Sequence, residues 1–140
     1  MDTKQIGNIV ELEVLTYITK LGYQVSIPFG DRERYDQIWD INGKLLKIQV
    51  KKSKPIDKDC SAISFSCRSS KRVSGKCINS RYKNNEIDYF ATIWDGQCYI
   101  VPLKETSASK ILRFNKPHNN QQQNISYSKD YLVEEVLKRL

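Results

Sequence analysis

The sequence predicts an α/β fold. Helical periodicity opens and closes the chain, and the strand-like runs between are joined at Asn42-Gly43 and Asp95-Gly96, the strongest kind of two-residue hairpin signal. At 140 residues the length suits one domain, large enough to bury a core without disulfides or a structural metal. With 39% hydrophobic and 28% charged residues the composition is that of a soluble globular protein. No stretch approaches the roughly 18 apolar residues of a membrane span. The opening Met1-Asp2-Thr3-Lys4-Gln5 runs straight into helical pattern and lacks the layout of a signal peptide, so a cytoplasmic protein without a membrane partner is expected.

Over residues 4–21, Ile6, Val10, Val14, Tyr17, Ile18 and Leu21 recur at helical spacing, and Gly22 is the expected stop. At 100° per residue Glu11 falls inside or beside this apolar arc, whereas Glu13 falls toward the polar side. An inward acid needs a reason. Gly7, one turn earlier, would let the helix approach a sheet closely or leave room for a ligand. Residues 23–27 read as a short strand ended by Pro28-Phe29-Gly30, and residues 35–41 and 45–51 as a hairpin around Asn42-Gly43. A β-rich segment spans 61–78, broken by Arg68-Ser69-Ser70-Lys71-Arg72, with Ala62–Ser66 alternating like a hairpin arm. Residues 88–94 and 97–103 form a second hairpin, about Asp95-Gly96. A flexible polar loop is expected at about 115–128, with low complexity at 119–124. A closing helix follows at 129–140, with Tyr131, Leu132, Val136 and Leu140 able to share a face.

The net charge of +7 is unevenly placed. Eleven basic residues against two acidic ones between Lys47 and Lys83 give that stretch +9 and leave −2 for the rest. Local basicity of this kind suits a surface facing a phosphate backbone. Cys60, Cys67, Cys77 and Cys98 form no C-x-x-C pair, and the one histidine, His118, sits in a polar stretch. Reduced, partly buried thiols are therefore expected rather than a zinc site.

Asp36, Gln49 and Lys51 stand in the pattern D-x12-Q-x-K, downstream of the helical Glu11. Pairing across Asn42-Gly43 brings Asp36 and Gln49 to comparable heights on neighbouring strands, where they could share a metal ion. Period two puts Gln49 and Lys51 on one face, because Leu46, Ile48 and Val50 take the other. Phosphodiester hydrolysis requires a positioned water, neutralisation of the phosphate and support for the leaving 3′ oxygen; Mg2+ held by carboxylate and carbonyl oxygens serves all three. On this reading Glu11, Asp36 and Gln49 hold the metal, Gln49 through its neutral amide oxygen. Lys51 contacts the scissile phosphate or helps activate the attacking water. Taken singly, each residue is better read as an ordinary edge acid or as part of a strand's polar face; their order and the basic segment that follows turn the case.

Gly7-Asn8-Ile9-Val10-Glu11, Leu21-Gly22-Tyr23-Gln24-Val25, Tyr35-Asp36 and Ile48-Gln49-Val50-Lys51-Lys52 resemble the opening of Holliday-junction-resolvase-like PD-(D/E)XK nucleases. Asp88–Trp94 and Cys98–Pro102 resemble their later strands. The small size, the Gln at the usual Glu position and the basic hairpin insert resemble the group I intron-encoded homing endonucleases of cyanobacterial tRNA introns. This resemblance implies a restriction-endonuclease-like core, a mixed β-sheet flanked by helices, with a basic β-hairpin insert at about 52–84. It also implies Mg2+-dependent cleavage of both strands of a long, near-palindromic DNA by a homo-oligomer, a dimer or more typically a tetramer. Phe90, Trp94, Tyr99 and the closing helix are candidate contacts between copies. Carried over, Glu11, Asp36, Gln49 and Lys51 fall on the active-site pattern.

Recognition falls to the segment after the active-site strand. Arg68, Lys71, Arg72, Lys76 and Arg81 are the expected base readers, and Lys52, Lys54 and Lys83 the expected phosphate contacts. Alternatives on the same core are a Holliday-junction resolvase, a restriction-type nuclease, or a non-catalytic DNA- or intron-binding protein in which Gln49 marks a decayed site.

Overall fold

The computed structural model describes residues 1–30, 32–115 and 124–140. Helix α1 (Thr3–Lys20) begins on a capping box: the Asp2 carboxylate accepts from the Gln5 backbone N–H at 2.8 Å while the Asp2 N–H donates to the Gln5 side chain at 3.1 Å. It ends where Gly22 takes φ 97° and the Tyr23 N–H closes on the Ile18 carbonyl at 3.3 Å. The strands that follow are β1 (Gln24–Ser26), β2 (Gln37–Ile41), β3 (Lys44–Val50), β4 (Lys54–Pro55), β5 (Ala62–Ser66), β6 (Arg68–Val73), β7 (Lys76–Arg81), β8 (Tyr89–Trp94), β9 (Gln97–Pro102) and β10 (Ser109–Arg113). Helix α2 (Val133–Lys138) closes the order.

The main sheet runs β1-β2-β3-β8-β9, and it is mixed: β3 lies parallel to β8, while the remaining neighbours are antiparallel. Both two-residue turns form as their chemistry requires, Asn42-Gly43 at φ 54° and 93° and Asp95-Gly96 at φ 49° and 77°. Both helices lie on one face of this sheet. Val10, Val14 and Ile18 of α1 and Val133, Val136 and Leu137 of α2 pack on Trp39, Leu46, Ile48, Val50, Ala91 and Ile100. The other face is covered by a small sheet, β10-β5-β4, through Ile63, Phe65 and Leu112 against Phe90, Tyr99 and Val101. Strands β8 and β9 are thus buried on both faces, which explains their near-continuous apolar runs.

Several expectations are corrected. Residues 68–72 do not break the β-segment; they form β6, paired in register with β7, and the break comes at Ser74-Gly75, with φ 51° and 78°. Ala62–Ser66 is no ribbon arm but a core strand between β10 and β4. Strand β10 had no clear periodicity and was not expected. Only Val133–Lys138 of the closing segment is α-helix, because Tyr131 and Leu132 are drawn onto β9: the Ile100 N–H donates to the Tyr131 carbonyl at 2.9 Å and Leu132 bridges Tyr99. Val133, Val136 and Leu137 make its buried face, while Leu140 is exposed.

Of the expected polar loop, residues 116–123, with His118 and most of the low-complexity run, lie outside the described residues. Tyr127 bridges Arg113, and Ser128 is buried, so the end of that stretch is packed. Gly7 has nothing within 4 Å of the position a Cβ would take, which rules out close helix–sheet approach there and leaves open space. Phe90 is fully buried in this chain's own core and has no surface to offer a second copy, and Tyr99 is largely buried there as well. No helix among the described residues is long and apolar enough to cross a membrane.

Candidate active site and nucleic-acid interface

The β2–β3 register sets the site. Gln37 pairs with Ile48, so Asp36 stands opposite Gln49 just beyond the ladder, in a bend rather than on the strand expected at 35–41. Two hydrogen bonds hold it there: the Asp36 N–H donates to the Ile48 carbonyl at 2.8 Å, and its carboxylate accepts from the Val50 N–H at 2.9 Å. Glu11 reaches the same point from α1, its carboxyl within hydrogen-bonding reach of Asp36.

The link between helix and strand is a residue the sequence did not single out. Gln37 is fully buried, donates to the Glu11 backbone carbonyl at 2.8 Å and accepts from the Trp39 indole N–H at 3.0 Å. It pins the helix at the residue whose side chain enters the site. Its one sequence signal is an amide at the inward-facing position of Gln37, Trp39 and Ile41.

The electrostatics are those of a site waiting for positive charge. Burial, then the Asp36 charge and hydrogen bond, push the Glu11 carboxyl up from 4.5 to about 7. Burial also raises Asp36, against the opposing pull of the Val50 N–H, Glu11 and the Lys51 ammonium. Two carboxylates pressed together in this way resist joint ionisation unless a cation joins them. The amide oxygen of Gln49, the residue opposite Asp36 in the register, is buried without a hydrogen-bond partner, which costs about 1–3 kcal/mol unless something fills its lone pairs. Among the described residues no cluster of three His, Cys, Asp or Glu exists, so a cation here would take two carboxylates and the neutral oxygen of Gln49. The donors are all oxygen, which suits a hard divalent ion.

Lys51 lies one residue past the end of β3, not on the strand expected at 45–51, its N–H bonded to the Ala91 carbonyl at 2.9 Å. Its ammonium donates to the Arg68 carbonyl at 2.9 Å and lies 5.3 Å from the centre of the Tyr82 ring. Tyr82 and Arg34 also escaped the sequence reading. Arg34 stacks over the same ring at 4.5 Å, pairs with Glu86 at 3.4 Å and donates to Ser80 at 3.3 Å.

From this edge β6 and β7 project as a two-stranded ribbon, every side chain exposed except the half-buried Ser69. Buried Cys67 and Tyr82 anchor its base. Paired residues share a face. One face therefore carries Arg68 with Arg81, Ser70 with Asn79, and Arg72 with Cys77; the other carries Ser69 with Ser80, Lys71 with Ile78, and Val73 with Lys76. The five expected base readers are thus split, with all three arginines on one face and both lysines on the other. Lys52, Lys54 and Lys83 are exposed off the ribbon. Lys52 and Lys54 line a groove of about 610 Å³ with Ser66 and Ser109.

The family profile described as PD-(D/E)XK endonuclease matches residues 1–134. The chain belongs to this family. Nucleases of the PD-(D/E)XK family generally use divalent metal ions, in keeping with the oxygen donors described above. Among solved structures, a bacterial homing endonuclease, I-Ssp6803I, is similar in fold, with a TM-score of 0.78 and 23% sequence identity over 99% of this chain and 95% of that one. No curated protein matches the chain. The PD-(D/E)XK core accounts for the mixed sheet, with Asp36, Gln49 and Lys51 where β2 begins and β3 ends.

Proposed function

We propose that the protein is a site-specific, Mg2+-dependent endonuclease that cuts both strands of a long, near-palindromic DNA, as an intron homing endonuclease does, and acts as a homo-oligomer of one nuclease domain per chain. The carrying observation is a pair of carboxylates, Glu11 and Asp36, that resist joint ionisation, with the orphaned oxygen of Gln49 on the residue opposite Asp36, at the base of an exposed basic ribbon. Glu11, Asp36 and Gln49 would hold the divalent ion, which when bound neutralises the phosphate and supports the leaving 3′ oxygen. Glu11 must give up its proton to take part. The Val50 N–H keeps the Asp36 carboxylate turned into the site. Lys51 retains N–H donors beyond the one given to Arg68, and these can stabilise charge on the scissile phosphate as water attacks in line.

The ribbon supplies the reading head. At about 3.4 Å per residue its six-residue arms extend about 20 Å, and a two-stranded ribbon fits a major groove about 12 Å wide. Arg68, Arg72 and Arg81 on one face suit bidentate contacts to guanine, with Asn79 and Ser70 between them. Lys71 and Lys76, on the opposite face, suit phosphates, as do Lys52, Lys54 and Lys83. Because one chain carries one such site, a two-fold pair on a palindromic target is the simplest way to cut both strands.

Incubation of the purified protein with a randomised duplex library and Mg2+, followed by sequencing of the new ends, tests the proposal. A single palindromic consensus, lost when Lys51 is replaced by Ala while DNA binding persists, is expected. Cleavage restricted to four-way junctions without sequence preference would favour the resolvase, and wild-type cutting by Lys51→Ala would remove Lys51 from the site.

A further inference from the structure

The catalytic lysine is held by the base of the ribbon, not by the acids of the site. We infer that Tyr82, together with the Arg68 backbone carbonyl, is the positioning device for Lys51, so that the ribbon and the catalytic ammonium move as one piece. A lysine has a flexible four-carbon stem and three rotatable donors, and left alone at a half-exposed edge it samples many positions. Here two contacts fix it: the Arg68 carbonyl at 2.9 Å and the Tyr82 ring at 5.3 Å, inside the roughly 6 Å range of a cation–π contact.

Both holders belong to the ribbon's base. Arg68 is the first residue of β6, and Tyr82 directly follows the last residue of β7. Tyr82 is itself anchored, edge-on to the fully buried Phe90 at 5.4 Å and under the Arg34 guanidinium at 4.5 Å. A ribbon seated out of register on DNA would displace the carbonyl and the ring, and the ammonium with them. Displacement of a catalytic group by about 1 Å can cost on the order of 100-fold in rate. Sequence discrimination would then appear in the cleavage step more than in binding.

This inference rests on the nuclease reading, and the test separates the two. Tyr82→Phe keeps the ring and Tyr82→Leu keeps the burial without the ring's π face. On a duplex selected from the randomised library by wild-type cleavage, the single-turnover rate of Tyr82→Leu should fall at least about 10-fold with Kd within about 2-fold, and Tyr82→Phe should restore the rate. Equal rates for Leu and wild type, or a Phe variant as slow as Leu, would overturn it. Independently of cleavage and of the Leu variant's folding, the Lys51 ε-methylene NMR signal, assigned by its loss in Lys51→Arg, should be ring-current shifted in wild type and Tyr82→Phe. A Lys51 signal among those of the exposed lysines would also overturn the assignment. Failure of the wild type to cut any duplex would defeat the nuclease reading instead, and the NMR shift would still decide where Tyr82 holds Lys51.

Discussion

Replacing Glu11 by Gln should stabilise the metal-free protein at pH 8 while weakening its hold on a divalent cation. The folded protein binds the Glu11 proton more tightly than the unfolded chain does, since burial and Asp36 lift that carboxyl from 4.5 to about 7. The sign is the reverse of an ordinary salt-bridged acid: stability from this group is complete below about pH 4.5 and is lost as the pH rises through about 7. At 1.36 kcal/mol for each pH unit the ceiling is about 3 kcal/mol. Glu11 is only partly buried and water screens much of this, so about 1 kcal/mol is the expected effect. Urea unfolding in chelator should place Glu11→Gln about 1 kcal/mol above wild type at pH 8 and level with it near pH 4. Added Mg2+ should raise wild type, by about 2.7 kcal/mol at 100 times Kd, and raise the variant less. A wild type as stable as the variant at pH 8 in chelator, or unmoved by Mg2+, would refute the shared-charge account of the site.

Gln49→Leu removes the orphaned oxygen and should give an inactive protein of equal or greater stability, whereas Gln49→Glu keeps a ligand oxygen and should retain some cleavage with altered metal dependence; an active Leu variant in a cleavage assay would make Gln49 structural. Arg72→Ala should cost about 1–3 kcal/mol of target binding and relax preference at one position per half-site. Lys71→Ala, on the other face, should weaken all sequences alike and flatten the salt dependence; profiles over single-base target variants would show whether the two faces differ at all. Sedimentation should find a symmetric oligomer on target DNA, and a monomer both free and bound would contradict it.

What could be read in advance was local. The Asn-Gly and Asp-Gly turns, the opening helix and the strand that carries Gln49 and leads into Lys51 each declare themselves within a few residues, and the turn at Asn42-Gly43 already fixes Asp36 opposite Gln49. The roles of Gln37 and Tyr82 were not legible, because their partners are far away in sequence, 26 residues for Gln37 and the Glu11 carbonyl. Arg68-Ser69-Ser70-Lys71-Arg72 read as a break because no apolar face marks it; only its pairing with β7 makes it a strand. Tyr131 and Leu132 look helical in isolation, and the free edge of β9 outcompetes that propensity.

The ribbon makes almost no contact with the core beyond its anchored base, and its twelve paired residues bury next to nothing. Substitutions on such a surface typically change stability by less than about 0.5 kcal/mol. Residues that choose the target can therefore drift, recombine or be exchanged for another ribbon without endangering the chain that carries them. A nuclease arranged in this way can follow a changing genomic site at little risk to its own folding, and a designer could redirect it by rewriting one face while leaving Cys67, Tyr82 and everything beneath them untouched.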